Sequence, residues 1–255
     1  MMEDALLVFD HVCMRYHQQS GETAVLEDFT LSIRRGEFVA LLGPSGCGKS
    51  TVLSLAAGLL RPDAGRVLLR GQPIAAPPAH MGYMLQRDHL FDWLTVRDNA
   101  LVGLRVRGKP TKQQLSLVDS LLESCGLAEF AHAFPGQLSG GMRQRAALVR
   151  TLAVEPEFLL LDEPFSALDA QTRIQLADEV KQALSGSDRA TLLVTHDVSE
   201  AISLADRVVV LTHRPARIKS EHGIALAGSP MQRRRDEGFR GYFDRIWKEL
   251  DVHVQ

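Results

Sequence analysis

The stretch LLGPSGCGKST, residues 41–51, decides the fold of this chain. Glycines and small polar residues surround one lysine, with an apolar run before them and a helix-like run after them. A loop that holds several negative oxygens close to its backbone tolerates few Cβ atoms, needs inward N–H groups and gains from one positive charge. The stretch therefore predicts an anion-binding loop between a strand and a helix.

Residues 43–50 fit the pattern G-x-x-x-x-G-K-[ST] of a phosphate-binding loop. In that pattern Lys49 reaches the terminal phosphates of a nucleotide and Ser50 ligates Mg²⁺. A glycine turn before a buried helix is the alternative, but it does not explain a lysine followed by hydroxyls. The expected nucleotide-binding residues are Gly43, Pro44, Ser45, Gly46, Cys47, Gly48, Lys49, Ser50 and Thr51.

Composition and charge restrict the class of protein. The 255 residues are 45% hydrophobic, which is enough for one large domain or for a core with a smaller subdomain. The 29 basic and 31 acidic residues give no basic field for nucleic acid. The start MMEDALLVFD has acids where a signal peptide would have lysine or arginine, and no apolar run approaches the ~18 residues that span a bilayer. We therefore expect a cytoplasmic protein.

The three cysteines, Cys13, Cys47 and Cys125, are odd in number and lack a C-x-x-C pair. This pattern argues against a disulfide framework and against a zinc site, and it indicates reduced thiols. Because Cys47 lies in the phosphate loop near a helix N-terminus, it is expected to have raised thiolate character and to be reachable from solvent.

Apolar runs of strand length recur along the chain and predict a parallel sheet covered on both faces. They are FVALL (38–42), GYML (82–85), FLLL (158–161), TLLVT (191–195) and RVVVL (207–211). Helical stretches between them indicate an α/β architecture. Residues from about 87 to 156 carry helical patterns without a strand, including a capping box at Thr111 and Gln114, and predict a helical insertion.

Acidic and imidazole side chains follow two of these runs. Asp162 and Glu163 in FLLLDEP diverge as they leave a strand, so Asp162 can hold Mg²⁺ through water while Glu163 polarises the attacking water. An acidic turn before Pro164 is the alternative. His196 in TLLVTHD is placed to bond the γ-phosphate or the attacking water, although a lone histidine at a strand end is more often structural.

The stretch LSGGMRQR, residues 138–145, stands just before a predicted helix. Its Ser139, Gly140 and Gly141 form a second bare helix N-terminus, which is an anion site by the same physics. One chain therefore has two phosphate-binding helix ends.

With these motifs in this order, the sequence resembles the nucleotide-binding subunits of ABC transporters over about residues 6–212. The resemblance implies an α/β, P-loop NTPase core with a mainly parallel sheet, an antiparallel β subdomain near the N-terminus and an inserted α-helical subdomain. It divides a single ABC ATPase domain, residues 1–255, into three parts. They are an α/β core (1–86 and 157–230), a helical subdomain with the signature motif (87–156) and a C-terminal helix (231–255).

Further site residues are implied by the resemblance alone. Gln86 matches the Gln loop near Mg²⁺ and the reacting water, and Tyr16 matches the aromatic that stacks on adenine, although alone it would be read as a core or surface aromatic. In this family two such domains lie head to tail, so the signature of one closes over the ATP of the other. The signature residues are Leu138, Ser139, Gly140, Gly141, Met142 and Gln144, and the dimer-contacting loop is Ser166, Ala167, Leu168 and Asp169.

FDWLTVRDNA (91–100) and THRPARI (212–218) make the chain similar to the ATPases of nitrate, sulfonate, taurine and pyrimidine-precursor importers. Asp92 departs from the usual proline, and Met142 stands where the wider family often has glutamine. The resemblance implies ATP and Mg²⁺, a second ATPase subunit, a membrane permease and, indirectly, an extracytoplasmic solute-binding protein. The chain would then be peripheral on the inner face of the cell membrane. An exporter ATPase, a soluble ABC ATPase and a non-catalytic scaffold are the alternatives.

Two apolar sets have no assigned partner in the sequence. Leu90, Phe91, Trp93 and Leu94 are expected to be exposed beside Gln86, with Trp93 as an anchor for a permease helix; the alternative is that Trp93 fills the core of the helical insertion. A second set is expected to form a stripe that packs on its own domain, with a partner contact as the alternative. Its members are Phe239, Tyr242, Phe243, Ile246, Trp247 and Leu250.

Overall fold

The computed structural model describes residues 5–18, 21–166, 168–184 and 188–250. The strands, in chain order, are β1 (Ala5–Gln18), β2 (Gly21–Arg34), β3 (Phe38–Leu42), β4 (Ala64–Leu69), β5 (Gln72–Pro73), β6 (Met81–Met84), β7 (Phe158–Asp162), β8 (Ala190–Thr195), β9 (Arg207–Leu211) and β10 (Ile218–Gly223). The helices are α1 (Lys49–Ala56), α2 (Val96–Arg107), α3 (Lys112–Ser124), α4 (Gly140–Leu152), α5 (Ala170–Leu184), α6 (Val198–Leu204), α7 (Pro230–Arg235) and α8 (Glu237–Glu249).

These strands form two sheets. The larger sheet has the order β10–β9–β3–β8–β7–β6, in which every neighbouring pair is parallel except β10 with β9. The smaller sheet has the order β2–β1–β4–β5 and is antiparallel. The five apolar runs of the sequence lie in β3, β6, β7, β8 and β9, and β6 begins one residue before the predicted run. The predicted α/β class and its antiparallel sheet near the N-terminus are confirmed.

Strands β3, β7, β8 and β9 of the larger sheet are buried on both faces, as their continuous apolar sequences require. In β3, Val39 and Leu41 belong to a core shared with the antiparallel sheet, whereas Phe38, Ala40 and Leu42 belong to the core shared with the helices. Successive side chains of a strand point to opposite faces, so this one strand joins the two cores. The residues that follow β3 are therefore held from both sides.

The segment between β6 and β7, all of which is described, contains α2, α3, α4 and two 3₁₀ turns but no strand. The predicted capping box is present at α3, where the Thr111 side chain accepts from the Gln114 N–H and the Gln114 side chain accepts from the Thr111 N–H. Val118 and Leu122 on the same helix are buried in the core. Local capping and apolar spacing explain why this segment is helical.

A loop of residues 85–95 connects β6 to α2 and presents Trp93, whose exposed fraction is 73%. This exposure excludes a core role for Trp93 in the described structure. Phe91 lies beside it, with ring centroids 5.2 Å apart. The expectation that Leu90 is exposed is wrong, because it is buried in the helical core. Leu94 is half-buried.

Asn99 on α2 holds this loop in place. Its side-chain oxygen accepts from the Phe91 N–H at 2.8 Å, and its Nδ2 lies 3.1 Å, 3.1 Å and 3.0 Å from the carbonyl oxygens of Phe91, Leu94 and Thr95. The residue is fully buried, so the amide replaces the water that these backbone groups would otherwise need.

The C-terminal segment contains two helices, α7 and α8, where the sequence predicted one. Asp236 separates them because its backbone is extended and its side chain accepts from the Gly238 N–H as the N-cap of α8. Ile246 is buried in the helical core, and four other members of the stripe pack against that core: Phe239, Tyr242, Phe243 and Leu250. Trp247 stays half-exposed and stacks on Phe243. No helix in the described ranges is both long enough and apolar enough to span a bilayer.

Asn99→Ala should lower the free energy of unfolding by about 2 kcal/mol, because a buried backbone N–H and several carbonyls lose their partner. Chemical denaturation of the purified subunit measures the effect. Gln113→Ala, at an exposed position on α3, is the control and should leave the unfolding midpoint nearly unchanged. Equal midpoints for the two variants would contradict the role of Asn99.

Candidate functional site

The loop of residues 43–48 connects β3 to α1. Gly43 is buried, and a Cβ built on it would lie 2.9 Å from the Cys47 Sγ and 3.0 Å from the Leu211 Cβ. Gly48 has a φ of 128°, and a Cβ there would lie 2.8 Å from a Val25 methyl group. Only glycine fits these two positions without displacement, so the bare loop is a steric requirement of the fold.

Lys49 begins α1 and folds back over this loop. Its buried Nζ donates to the carbonyl oxygens of Gly43 at 2.7 Å and Pro44 at 2.9 Å. Both partners are neutral carbonyl groups and do not offset the positive charge of the ammonium. That charge is left to attract an anion that enters the loop. A helix N-terminus with a nearby cation is the arrangement that binds phosphate groups.

Asp162 ends β7 close to the first turn of α1. Its Oδ1 lies 3.4 Å from the Ser50 Oγ, and its carboxylate is mostly buried. Burial raises the pKa of Asp162, and the neighbouring Glu163 raises it further, whereas Ser50 and Lys49 lower it. A buried carboxylate beside a hydroxyl is a fitting pair of oxygen ligands for Mg²⁺, whose charge would offset the cost of that burial.

Three residues that follow three neighbouring strands meet at one oxygen atom, the Oε2 of Glu163. Gln86, after β6, donates from Nε2 to the Glu163 Oε2 at 3.2 Å, and the His196 Nδ1, after β8, lies 3.2 Å from the same oxygen. Glu163 itself follows β7. The arrangement holds one carboxylate between an amide and an imidazole at the rim of the phosphate loop, as a group that orients a water molecule requires.

The cavity above the phosphate loop has a volume of about 280 Å³. Its lining includes Tyr16, Val25, Gly46, Lys49, Glu163 and Arg214. The Tyr16 hydroxyl lies 3.2 Å from the Thr51 Oγ1, and the ring is 37% exposed. The structure therefore brings Tyr16 together with the loop and with Glu163, although β1 and β7 belong to different sheets.

The second bare helix N-terminus belongs to α4 and does not line this cavity. The Ser139 Oγ accepts from the Met142 N–H at 3.3 Å as the N-cap, and Ser139 and Gly140 are exposed. Leu138 and Met142 are half-buried against the helical core. Within one chain the two predicted anion sites are separate.

Gln144 was expected to be one of the signature residues that close over the ATP of a partner chain, and the structure places it elsewhere. It lies on the inward face of α4, is buried, and donates from Nε2 to the Pro164 carbonyl at 2.7 Å. The side chain is therefore used for a contact within its own domain. Its observed role is to join α4 to the segment that follows Glu163.

The predicted dimer loop is described except for Ala167, which lies outside the described residues. The Ser166 Oγ donates to the Glu163 carbonyl at 3.0 Å, and Leu168 is buried. Asp169 accepts from the Thr172 N–H at 3.0 Å and from the Thr172 hydroxyl at 2.6 Å. These bonds lower the pKa of the Asp169 carboxyl and stabilise the first turn of α5.

Cys47 differs from the expectation of a reachable thiolate. The side chain is only 1% exposed, and burial raises the pKa of the thiol against the smaller opposing effects of Lys49 and Arg214. The main chain of Cys47 belongs to the loop, but its Sγ points into the core shared with the antiparallel sheet. Position in a phosphate loop does not by itself expose a side chain.

Two arginines at the site were not predicted from the sequence. Arg214, in the turn after β9, contacts the Gly46 carbonyl. Arg173 on α5 donates to the Leu168 carbonyl at 3.1 Å and to the Asp197 carboxylate at 2.9 Å. In the sequence, Arg214 stood out only as part of THRPARI. That stretch indicated a type of importer and did not predict the contact with Gly46.

The profile of the ABC transporter family matches residues 26–166. The uncharacterized ABC transporter ATP-binding protein YtlC of Bacillus subtilis (strain 168) is 41% identical over 250 residues, which are 97% of this chain and 96% of that protein. The taurine import ATP-binding protein TauB of Pseudomonas aeruginosa (strain PAO1) is 42% identical over 212 residues, which are 83% of this chain and 81% of that protein.

Among solved structures, a similar one is the dimeric post-hydrolysis state of the ATP-binding cassette MJ0796 bound to ADP and Pi. It superposes with a TM-score of 0.76 at 27% identity and covers 86% of this chain and 98% of its own. Most of this chain therefore has the fold of a solved ATP-binding cassette.

Thiol alkylation of the native protein should modify Cys13 first and Cys47 only slowly. Cys13 is partly exposed, whereas burial shields Cys47 and keeps it protonated. Mass spectrometry of digests at increasing times gives the order, and all three cysteines should react after denaturation. Modification of Cys47 as fast as that of Cys13 would contradict its placement in the core.

Proposed function

Because the chain belongs to the ABC transporter family of ATP-binding proteins, we propose that it is the ATP-hydrolysing subunit of an importer. It would energise uptake of a small solute through a separate membrane permease. The observation that carries the proposal is the convergence of Gln86 and His196 on the Oε2 of Glu163, next to the phosphate loop. An intact site of this kind favours a catalytic subunit over a non-catalytic scaffold.

The chain's own residues divide the work as follows. Lys49 and the N–H groups at the start of α1 bind the phosphates, and Tyr16, which lines the same cavity, stacks on the base. Glu163 accepts a hydrogen bond from the attacking water and polarises it. Gln86 and His196 orient that carboxylate, and His196 also reaches the terminal phosphate.

Ser50, Asp162 and Gln86 would hold Mg²⁺. These residues fit Mg²⁺ because the buried Asp162 carboxylate lies beside the Ser50 hydroxyl. Burial raises the pKa of Asp162, and a bound cation would stabilise its charged form. When bound, the ion supplies neutralisation of the negative charge on the phosphates.

A second copy of the chain would complete the site. Ser139 and Gly140 form an exposed helix N-terminus that faces no phosphate in their own chain, since they do not line the cavity. Head-to-tail pairing brings this end of one chain over the nucleotide of the other, with loop 166–169 at the contact. The cassette MJ0796, to which this fold is similar, is dimeric, which supports a pair of chains.

The cargo class is proposed from the relatives. Similarity to a taurine import ATP-binding protein supports uptake of a nitrate-, sulfonate-, taurine- or pyrimidine-precursor-like solute. The chain would lie in the cytoplasm, peripheral on the inner face of the membrane, with a solute-binding protein outside. Exposed Trp93 and Phe91, in the same loop as Gln86, offer an apolar contact for a permease helix.

Glu163→Gln should lower the ATP turnover number by about 10²–10⁴-fold, because the amide cannot accept the proton of the attacking water. ATP should stay bound, so dimers should accumulate on a sizing column when ATP and Mg²⁺ are added. Lys49→Ala should lose both nucleotide binding and dimers.

Glu129→Gln, an exposed charge in the helical segment, is the control and should behave as wild type. Wild-type turnover in Glu163→Gln would remove the carboxylate from its proposed role. Lack of ATP binding by the wild-type protein would contradict the proposed function itself.

Trp93→Ala should fold and bind nucleotide normally but lose association with its permease and lose uptake, because exposed aromatic anchors carry much of an interface's energy. Co-purification with the permease and uptake into vesicles measure the two effects. Trp247→Ala, which removes the other partly exposed tryptophan, is the matched control and should assemble normally. Normal transport by Trp93→Ala would exclude this loop as the docking contact.

A further inference from the structure

Arg214 lies in the turn between β9 and β10. Since β9 pairs in parallel with β3, this turn stands next to the phosphate loop that leaves β3. The Arg214 Nε donates to the Gly46 carbonyl at 3.0 Å, and its Nη2 contacts the same oxygen. The guanidinium thus spans from the last parallel strand to the middle of the loop.

Hydrogen bonds close the turn that carries Arg214 and join it to β2. The Thr212 Oγ1 accepts from the Arg217 N–H at 3.0 Å, and the Ala216 N–H donates to the Val25 carbonyl at 2.8 Å. The Ala216 carbonyl in turn accepts from the Glu27 N–H at 3.2 Å. The first bond closes the turn and the other two fix it to β2, so Arg214 projects from an anchored turn.

The position of the guanidinium matters because it lines the same cavity as Lys49, Tyr16 and Glu163. Gly46 accepts from only one edge of the arginine fork, and the other nitrogen, Nη1, still has its donors for a ligand. Among the described residues that line this cavity, Lys49 and Arg214 are the two cations. An anion in the cavity would therefore lie between two positive charges.

We propose that Arg214 is a nucleotide-binding residue, which fixes the phosphate loop through the Gly46 carbonyl and directs its remaining N–H groups to the polyphosphate of a nucleotide. This inference rests on the proposed function, because it assigns a second cation to the same site. Its effect is on affinity: Arg214 does not touch the Glu163 oxygen that receives Gln86 and His196, so the chemical step keeps its groups.

Arg214→Met keeps a side chain of similar reach and removes the charge and the fork. We expect the dissociation constant for ADP, measured by calorimetry on the full chain, to rise about tenfold, which corresponds to the loss of one charge-assisted hydrogen bond. The KM for ATP should rise by a similar factor with kcat nearly unchanged. Added salt should weaken ADP binding less in the variant than in wild type, because one cation is missing.

Arg214→Lys retains the charge without the fork, and it should recover part of the affinity. Arg217→Met is the matched control: it removes an arginine of the same turn that pairs with Glu27 at 3.0 Å and does not line the cavity. Its ADP affinity and melting temperature should equal those of wild type.

A role of Arg214 in folding alone would lower the melting temperature of Arg214→Met and leave its ADP affinity and salt dependence at wild-type values, and this result would overturn the proposal. Lys49→Ala distinguishes a failure of the Arg214 assignment from a failure of the nucleotide site. If Lys49→Ala loses ADP and Arg214→Met does not, the assignment of Arg214 fails while the nucleotide site stands. If Lys49→Ala binds ADP as wild type does, the nucleotide site itself fails.

Discussion

The parallel pairing of β8 with both β3 and β7 is the constraint on which the site depends. Leu42 stands opposite Thr195 and Asp162 stands opposite Val194, so the three strands end at one edge of the sheet. The phosphate loop, Glu163 and His196 are the next residues along each strand. Since side chains alternate between faces, a slip of one residue in either pairing would turn Glu163 or His196 away from the loop.

The backbone of Glu163 is strained. Its φ of 44° lies in the left-handed region, which non-glycine residues seldom adopt and which costs about 1–3 kcal/mol. The surroundings impose it: the Glu163 N–H donates to the Val194 carbonyl at 2.9 Å, and its own carbonyl accepts from the Ser166 N–H at 3.2 Å. The same bonds that strain the residue aim its carboxylate at Gln86 and His196 and tie Ser166 to it.

Local patterns predicted the five parallel strands β3, β6, β7, β8 and β9, the phosphate loop and the capping box of α3, because each depends on neighbouring residues in the chain. The misplaced residues depend on contacts that no local pattern encodes. Gln144 turns inward because Pro164, twenty residues later, offers a carbonyl, and Cys47 packs into a core built by the antiparallel sheet. Arg214 meets Gly46 across 168 residues of sequence, so only the pairing of β9 with β3 reveals it.

Asn99 has a consequence for molecular recognition. A loop that carries an exposed aromatic ring normally loses conformational entropy when a partner immobilises it. Here a single buried amide, bonded to the main chain of Phe91, Leu94 and Thr95, already restrains the backbone of the loop in the folded domain. The entropy of ordering the loop is therefore lost when the domain folds and not when a partner binds. Any protein that contacts Trp93 meets a preorganised surface.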